Sequence, residues 1–389
     1  MLGLARSGRA VRTALESRGV EVVAADRSLG NDEDVSLLDG VDALVKSPGV
    51  PGEAPLVAAA RERGIPVRSE IEVAASFLPN PILGVTGTNG KTTTTELLGA
   101  ILGAPTAGNV GTALSELVGA VPPDAWIVCE LSSFQLEDVD AFRPRVAVLL
   151  NLEPDHLDRH GTFEAYCVAK LRIFENQEET DVAVVPRGFG PVPGRARRVE
   201  FAAADELPAE PLIRGPHNRE NAAAATVAAR AAGVDDATIA AALRTFPGVP
   251  HRLEPVAEVG GVLYVNDSKA TNTAAARRAL RSFEQPLHLI LGGREKGERW
   301  DELAAEVASA NVVAAYLIGE AAAALAVDLG DANVPFLVAT TLGRAVEEAA
   351  GAAGPGHVVL LSPACASYDQ FADYEARGEE FRRLVQNLE

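Results

Sequence analysis

The chain has 389 residues, 47% hydrophobic and 23% charged, enough for two or three domains that each bury a core. Its 35 basic residues are outnumbered by 54 acidic ones, and a net charge of −19 argues against a general affinity for nucleic-acid backbone. No apolar run approaches the ~20 residues that span a bilayer, so no membrane insertion is expected. The three cysteines, Cys129, Cys167 and Cys365, have no metal spacing and suit a reducing cytoplasm.

Residues 1–8 read as the end of a strand and a glycine turn, entering a helix over 11–17. Residues 20–26 read as the next strand, closing on Asp26. This is the strand–loop–helix–strand–acid plan of a nucleotide-binding Rossmann unit, with only Gly3 and Gly8 left of its fingerprint. The first strand is nearly absent. Strands at 43–46 and 66–67 and a helix over 54–63 complete a first domain, 1–79, which ends at the linker Leu78-Pro79-Asn80-Pro81.

The apolar run 81–85 reads as a buried parallel strand. Gly87 and Gly90 then let the backbone turn tightly, and a helix starts near Thr92. Strand, glycine loop and helix N-terminus make an anion cradle, with Lys91 reaching terminal phosphates and the Thr92 hydroxyl facing Mg²⁺. The usual phosphate loop, G-x-x-x-x-G-K-[ST], would need its first glycine where Val85 stands. Apolar strands at 126–131 and 146–151 end in acids: Glu130, followed by Ser132 and Ser133, then Glu153, Asp155, His156 and Asp158. Glu130 is the better Mg²⁺ candidate, because an acid ending a buried strand needs a partner. Taken alone, His156 reads as a surface histidine. Lys170, on a helix over 162–176 capped by Thr162, reads alone as a solvated lysine. Residues 186–198 read as loop. A helix from His217 to about 232 puts Asn218 and Asn221 one turn apart and closes domain two, 80–247.

The linker Phe246-Pro247-Gly248-Val249-Pro250, a candidate hinge, leads to a third α/β unit, 248–389. Strands at 262–266, 287–291, 313–318 and 358–361 alternate with helices, as in an open parallel sheet. Polar clusters follow three of them: Asn266-Asp267-Ser268-Lys269-Ala270-Thr271-Asn272, Gly292-Gly293-Arg294-Glu295-Lys296-Gly297, and Ser362-Pro363-Ala364-Cys365-Ala366-Ser367 with Asp369-Gln370-Phe371. Clusters at strand C-terminal ends predict one ligand crevice.

Together with Thr86-Gly87-Thr88-Asn89-Gly90-Lys91-Thr92, Glu130-Leu131-Ser132-Ser133, Asp155-His156 and His217-Asn218…Asn221, these motifs resemble the Mur ligases of peptidoglycan synthesis along nearly the whole chain. The first and third C-terminal clusters resemble the glutamate-adding branch. The resemblance implies an α/β fold of three domains: a Rossmann-like N-terminal domain, a central P-loop ATPase-type parallel sheet and a Rossmann-like C-terminal domain. It also implies a monomeric cytoplasmic ligase that uses ATP to join D-glutamate to UDP-N-acetylmuramoyl-L-alanine through an acyl phosphate.

Residue by residue, the resemblance implies that Gly87, Thr88, Asn89, Gly90, Lys91, Thr92 and Thr93 hold the ATP phosphates. Thr92 and Glu130 would ligate one Mg²⁺, and His156 a second together with Lys170 carbamylated by CO₂. Asn218 and Asn221 would approach the adenine side, Arg252 the γ-phosphate, Asp267 the ribose and Lys269 the phosphates. The implied catalytic set is Lys91, His156, Lys170, Arg252 and Lys269. Residues 3–8, Asp26 and Ser47-Pro48-Gly49 would form the uridine diphosphate site, with Asn109 and Ser132 on the substrate. Thr271, Lys296 and Ser367 would bind the glutamate carboxylates. Tyr368 and Tyr374 stand where Leu and Phe are common in that pocket, and the segment between Val185 and His217 is short for the family. Competing readings are a related ligase for L-glutamate or another amino acid, and a nucleotide-binding module without ligase chemistry.

Overall fold

The computed structural model describes residues 1–213, 215–295 and 299–388. It is a three-domain α/β fold with a small N-terminal sheet, a six-stranded central sheet and a six-stranded C-terminal sheet. The chain packs into two compact units, Met1–Leu212 with His217–Phe246, and Ile213–Pro216 with Pro247–Glu389. The first unit carries the first two sheets.

In the N-terminal sheet, β1 (Leu44–Lys46) pairs in parallel with β2 (Val67–Ser69). Leu2 bridges both Lys46 and Ala25, and its N–H donates to Val45 O at 2.8 Å. Residues 1–3 therefore fill the place of the first strand. The strand expected over 20–26 is not formed; only a bridge at Ala25 remains. Val20 and Val23 stay exposed. The first helix begins earlier than expected, spanning Arg6–Glu16, and turns Val11 and Ala14 inward.

The central sheet contains β3 (Ile82–Thr86), β4 (Thr106–Gly108), β5 (Ile127–Glu130), β6 (Val146–Leu149), β7 (Val182–Pro186) and β8 (Arg197–Phe201). Its order is β4-β5-β3-β6-β7-β8, and every pairing is parallel. β3, β5 and β6 are buried along their whole lengths, as their unbroken apolar runs require in a sheet covered on both faces. β3 sits between β5 and β6, so the loop that leaves it opens at a topological switch point. Residues 187–196 are loop, as expected for 186–198, but Pro186 ends β7 and Arg197 and Arg198 begin β8. β8 is an edge strand, Arg-Arg-Val-Glu-Phe, whose polar residues hide it, and only Phe201 is buried. The loop before it packs Phe189, Val192 and Ala196 onto the central core.

The C-terminal sheet contains β9 (Glu254–Val259), β10 (Val262–Asn266), β11 (Leu287–Gly292), β12 (Val312–Ile318), β13 (Phe336–Thr340) and β14 (Val358–Leu361). Its order is β13-β12-β11-β14-β10-β9. The edge strands β9 and β13 had no clear signal in the sequence. β9 runs antiparallel to β10, which makes the sheet mixed, because the Gly260-Gly261 turn closes the pair as a hairpin. β11, β14 and β10 are adjacent, so the three polar clusters leave neighbouring strands on one edge.

Candidate active-site residues and the family they define

Gly90 caps the helix Lys91–Leu102 with φ +82°, and a Cβ there would lie 2.2 Å from Asn221 Oδ1. Glycine is required both by the left-handed backbone and by the close approach of Asn221. Asn221 Nδ2 in turn donates to Asn218 Oδ1 at 3.3 Å. The segment after β6 braces the other side of the loop. Asn151 Oδ1 accepts from Asn89 N–H at 2.8 Å, Asn151 O from Thr88 N–H at 3.0 Å, and Glu153 Oε2 from Asn89 Nδ2 at 2.8 Å. Thr92 and Thr93 are buried in the first helical turn.

Lys91 Nζ bends back to donate to the carbonyls of Gly87 and Thr88, each at 3.0 Å. Lys170 Nζ donates to the same Gly87 carbonyl at 2.8 Å. Lys170 is only 2% exposed, which corrects its reading as a solvated lysine, and its ammonium lies 4.7 Å from the Tyr166 ring centre. Burial first, and the neighbouring Lys91 charge second, push Lys170 down to about 7. Glu130 and Asp155 oppose that shift. The Tyr166 hydroxyl meets Thr88 Oγ1 at 3.0 Å, and burial pushes the phenol up to about 12. Two lysine amines thus converge on one oxygen beside a helix N-terminus, where the Lys91 ammonium and the free helix amides suit an anion.

Glu130, 2% exposed at the end of β5, accepts through Oε1 from Asn109 Nδ2 at 2.9 Å, while Asn109 N–H donates to Glu130 O at 2.9 Å. Ser132 caps the short helix Ser133–Leu136 and exchanges bonds with Gln135. His156 sits at φ +52° before the turn Leu157–His160, half exposed, with its ring 4.8 Å from that of Phe134. Among the described residues no three His, Cys, Asp or Glu side chains form a metal-binding group. The donors at hand, the Glu130 carboxylate and the Thr92 hydroxyl, fit a hard cation that completes its shell with water and phosphate oxygens.

In the first domain, Asp26 accepts from Leu4 N–H at 2.5 Å and from the Ser28 hydroxyl at 2.5 Å. The Ser28 hydroxyl chiefly, with the Leu4 and Ser28 N–H groups, holds the carboxyl down to about 2. Ser47 Oγ donates to Gly3 O at 2.8 Å. A Cβ on Gly8 would lie 1.9 Å from the same oxygen, so the remnant of the Rossmann fingerprint is a packed turn.

In the second unit, Arg252 lies between His251 and Leu253, both at positive φ. Asp267 is buried; its Oδ2 accepts from Ser362 Oγ at 2.7 Å and its Oδ1 from Leu253 N–H at 3.2 Å. Burial outweighs these bonds and pushes it up to about 7. Lys269 N–H donates to His251 O at 3.0 Å, and its Nζ lies 5.7 Å from the Tyr374 ring centre. Thr271 N–H donates to Lys269 O at 2.9 Å. Ser367 is 2% exposed, whereas Tyr368 is 64% exposed. Burial pushes the Tyr374 phenol upward. Lys296 lies outside the described residues. Sequence reasoning missed Asn151 as a brace of the phosphate loop and missed Arg377 altogether. Arg377 is a charged residue in a helix of alternating charges, where nothing in the pattern marks it as buried.

The Mur ligase middle-domain profile matches residues 85–188, and the profile described as Mur ligase, glutamate ligase domain matches 251–365. The chain belongs to the Mur ligase family. Relatives named UDP-N-acetylmuramoylalanine–D-glutamate ligase include that of Anaeromyxobacter dehalogenans, 44% identical over 99% of this chain and 96% of its own. The Acidobacterium capsulatum protein is 41% identical over 99% of this chain and 95% of its own. The latter alignment spans 440 positions against 389 residues here, so at least 51 of its positions face no residue of this chain. Among solved structures, the UDP-N-acetylmuramate–alanine ligase of Thermotoga maritima shares the fold, with TM-score 0.61 and 19% identity over 100% of this chain and 99% of its own.

Proposed function

We infer that the protein is an ATP-dependent amide ligase that adds D-glutamate to UDP-N-acetylmuramoyl-L-alanine in peptidoglycan precursor synthesis. The observation that carries the ATP half is Lys91 folded over the glycine loop, its Nζ on the Gly87 and Thr88 carbonyls, at the N-terminus of Lys91–Leu102. The loop amides and Lys91 would hold the phosphates and face the charge that develops as the substrate carboxylate attacks the γ-phosphate. Thr92 and Glu130 would hold Mg²⁺, which neutralises phosphate charge when bound. The glutamate amine then attacks the acyl phosphate carbonyl and phosphate leaves. Thr271, Lys296 and Ser367 would receive its carboxylates, with Tyr368 and Tyr374 at the margin. Arg252, Asp267 and Lys269 would serve the nucleotide, and Asp26, Ser47, Asn109 and Ser132 the UDP-sugar substrate.

A carbamylated Lys170 would join His156 at a second Mg²⁺. The chemistry favours it, because only a neutral amine reacts with CO₂, and an amine held near 7 is substantially neutral at physiological pH. Acting on these substrates, the protein would work in the cytoplasm. No described helix is long and apolar enough to cross a membrane. The protein would act as a monomer. Hydroxylamine added with ATP and UDP-N-acetylmuramoyl-L-alanine, without glutamate, should trap the acyl phosphate as a hydroxamate. Product formation with no trappable intermediate would contradict this route.

A further inference from the structure

The three polar clusters of the C-terminal sheet share one buried cation that lies outside all of them. Arg377, in the helix Tyr374–Gln386, is 1% exposed. Its Nε donates to Ser268 Oγ at 2.9 Å, and one terminal nitrogen to Ser268 O at 2.8 Å and Cys365 O at 3.1 Å. The other terminal nitrogen reaches Ala366 O at 3.4 Å. That carbonyl also accepts from Arg294 N–H at 2.8 Å, so the loop after β11 is tied to the same point. One guanidinium therefore holds the loops leaving β10, β14 and, through Ala366, β11.

The direct bonds end close in sequence to assigned glutamate contacts: Ser268 is three residues before Thr271, and Ala366 adjoins Ser367. All four acceptors are neutral oxygens. Burying a guanidinium without a hydrogen-bonded carboxylate is costly, and an apolar side chain would fill the same space without that cost. Burial lowers its proton affinity to about 10, which still leaves it charged at neutral pH. A planar fork with five fixed donors suits the task of spacing several carbonyls, which a lysine does not replicate.

We propose that Arg377 is a positioning residue for the amino-acid substrate: its guanidinium sets the spacing of the loops after β10 and β14, which carry Thr271 and Ser367. This rests on the proposed function of that crevice. Steady-state kinetics of Arg377→Lys and Ser268→Ala, with melting curves of each, test it. Losing charge-assisted hydrogen bonds of this kind should raise KM for D-glutamate roughly tenfold in Arg377→Lys and roughly threefold in Ser268→Ala. KM for ATP, whose assigned contacts Asp267 and Lys269 flank Ser268, should rise less than KM for D-glutamate, and KM for the UDP-linked substrate should stay within about twofold of wild type. A folded Arg377→Lys with unchanged KM for D-glutamate, or with all KM values raised alike, reduces Arg377 to a structural role and overturns the proposal. If Arg377→Lys does not fold, Ser268→Ala decides, and an unchanged KM for D-glutamate there overturns it. Wild-type protein that forms no product from D-glutamate overturns the function and this inference together.

Discussion

The phosphate loop and the proposed glutamate crevice are built in opposite ways. The loop is one continuous stretch, residues 82–102, in which strand, glycine turn and helix follow each other, and its chemistry is written in consecutive residues. The crevice gathers segments from residues 266–272, 292–295 and 362–371, held from behind by Arg377. A contiguous site loses function when one of its own residues changes. A gathered site is also vulnerable through residues that touch no substrate.

The comparison can be broken most directly at the loop. Lys91→Ala should cost at least about 10³-fold in turnover, because it removes a preorganised charge at the transferring phosphate. Substrate-dependent ATP turnover in Lys91→Ala would show that the loop is not the phosphate site. Lys170→Ala should lose roughly 10²-fold and recover part of it with added short carboxylates, which replace the carbamate oxygens. Unchanged activity would remove the carbamate from the account. Because protonation of the amine competes with carbamylation, wild type should need more CO₂ for full activity as pH falls through about 7.

A smaller effect is thermodynamic. Asp267 has its folded pKa raised from 3.8 to about 7. Its protonated form is favoured by folding, so its stabilising contribution is present below pH ~4 and is lost as pH rises towards 7. Melting temperatures of wild type and Asp267→Asn should therefore diverge in favour of wild type as pH is lowered from about 8 to 5. A difference that does not change with pH would show that Asp267 is ionised throughout. The smallest effect is expected for Tyr368→Leu, within about threefold in KM for glutamate, because that side chain is 64% exposed. A tenfold change would move Tyr368 into the binding surface.

The same contrast explains what the sequence revealed. Gly90, Lys91, Glu130 and the three C-terminal clusters were legible because strand–loop–helix chemistry is local and strand ends collect ligand groups. The edge strands β8, β9 and β13 were not, since a strand paired on one side tolerates polar residues and loses the apolar run. The strand expected over 20–26 is reduced to a bridge between Ala25 and Leu2, a fact about pairing rather than propensity. Lys170 read alone as solvated because neither periodicity nor type reveals a buried amine. Arg377 was invisible because its partners, three backbone carbonyls and the Ser268 hydroxyl, lie 11, 12 or 109 residues away in sequence.

The central claim is D-glutamate ligation driven by ATP. Purified protein should be incubated with ATP, Mg²⁺ and UDP-N-acetylmuramoyl-L-alanine, and phosphate release and product mass followed with each glutamate enantiomer. The account predicts phosphate release and a product heavier by one glutamate residue with the D enantiomer, and neither with the L enantiomer. Product from L-glutamate alone, or none from either, would contradict it.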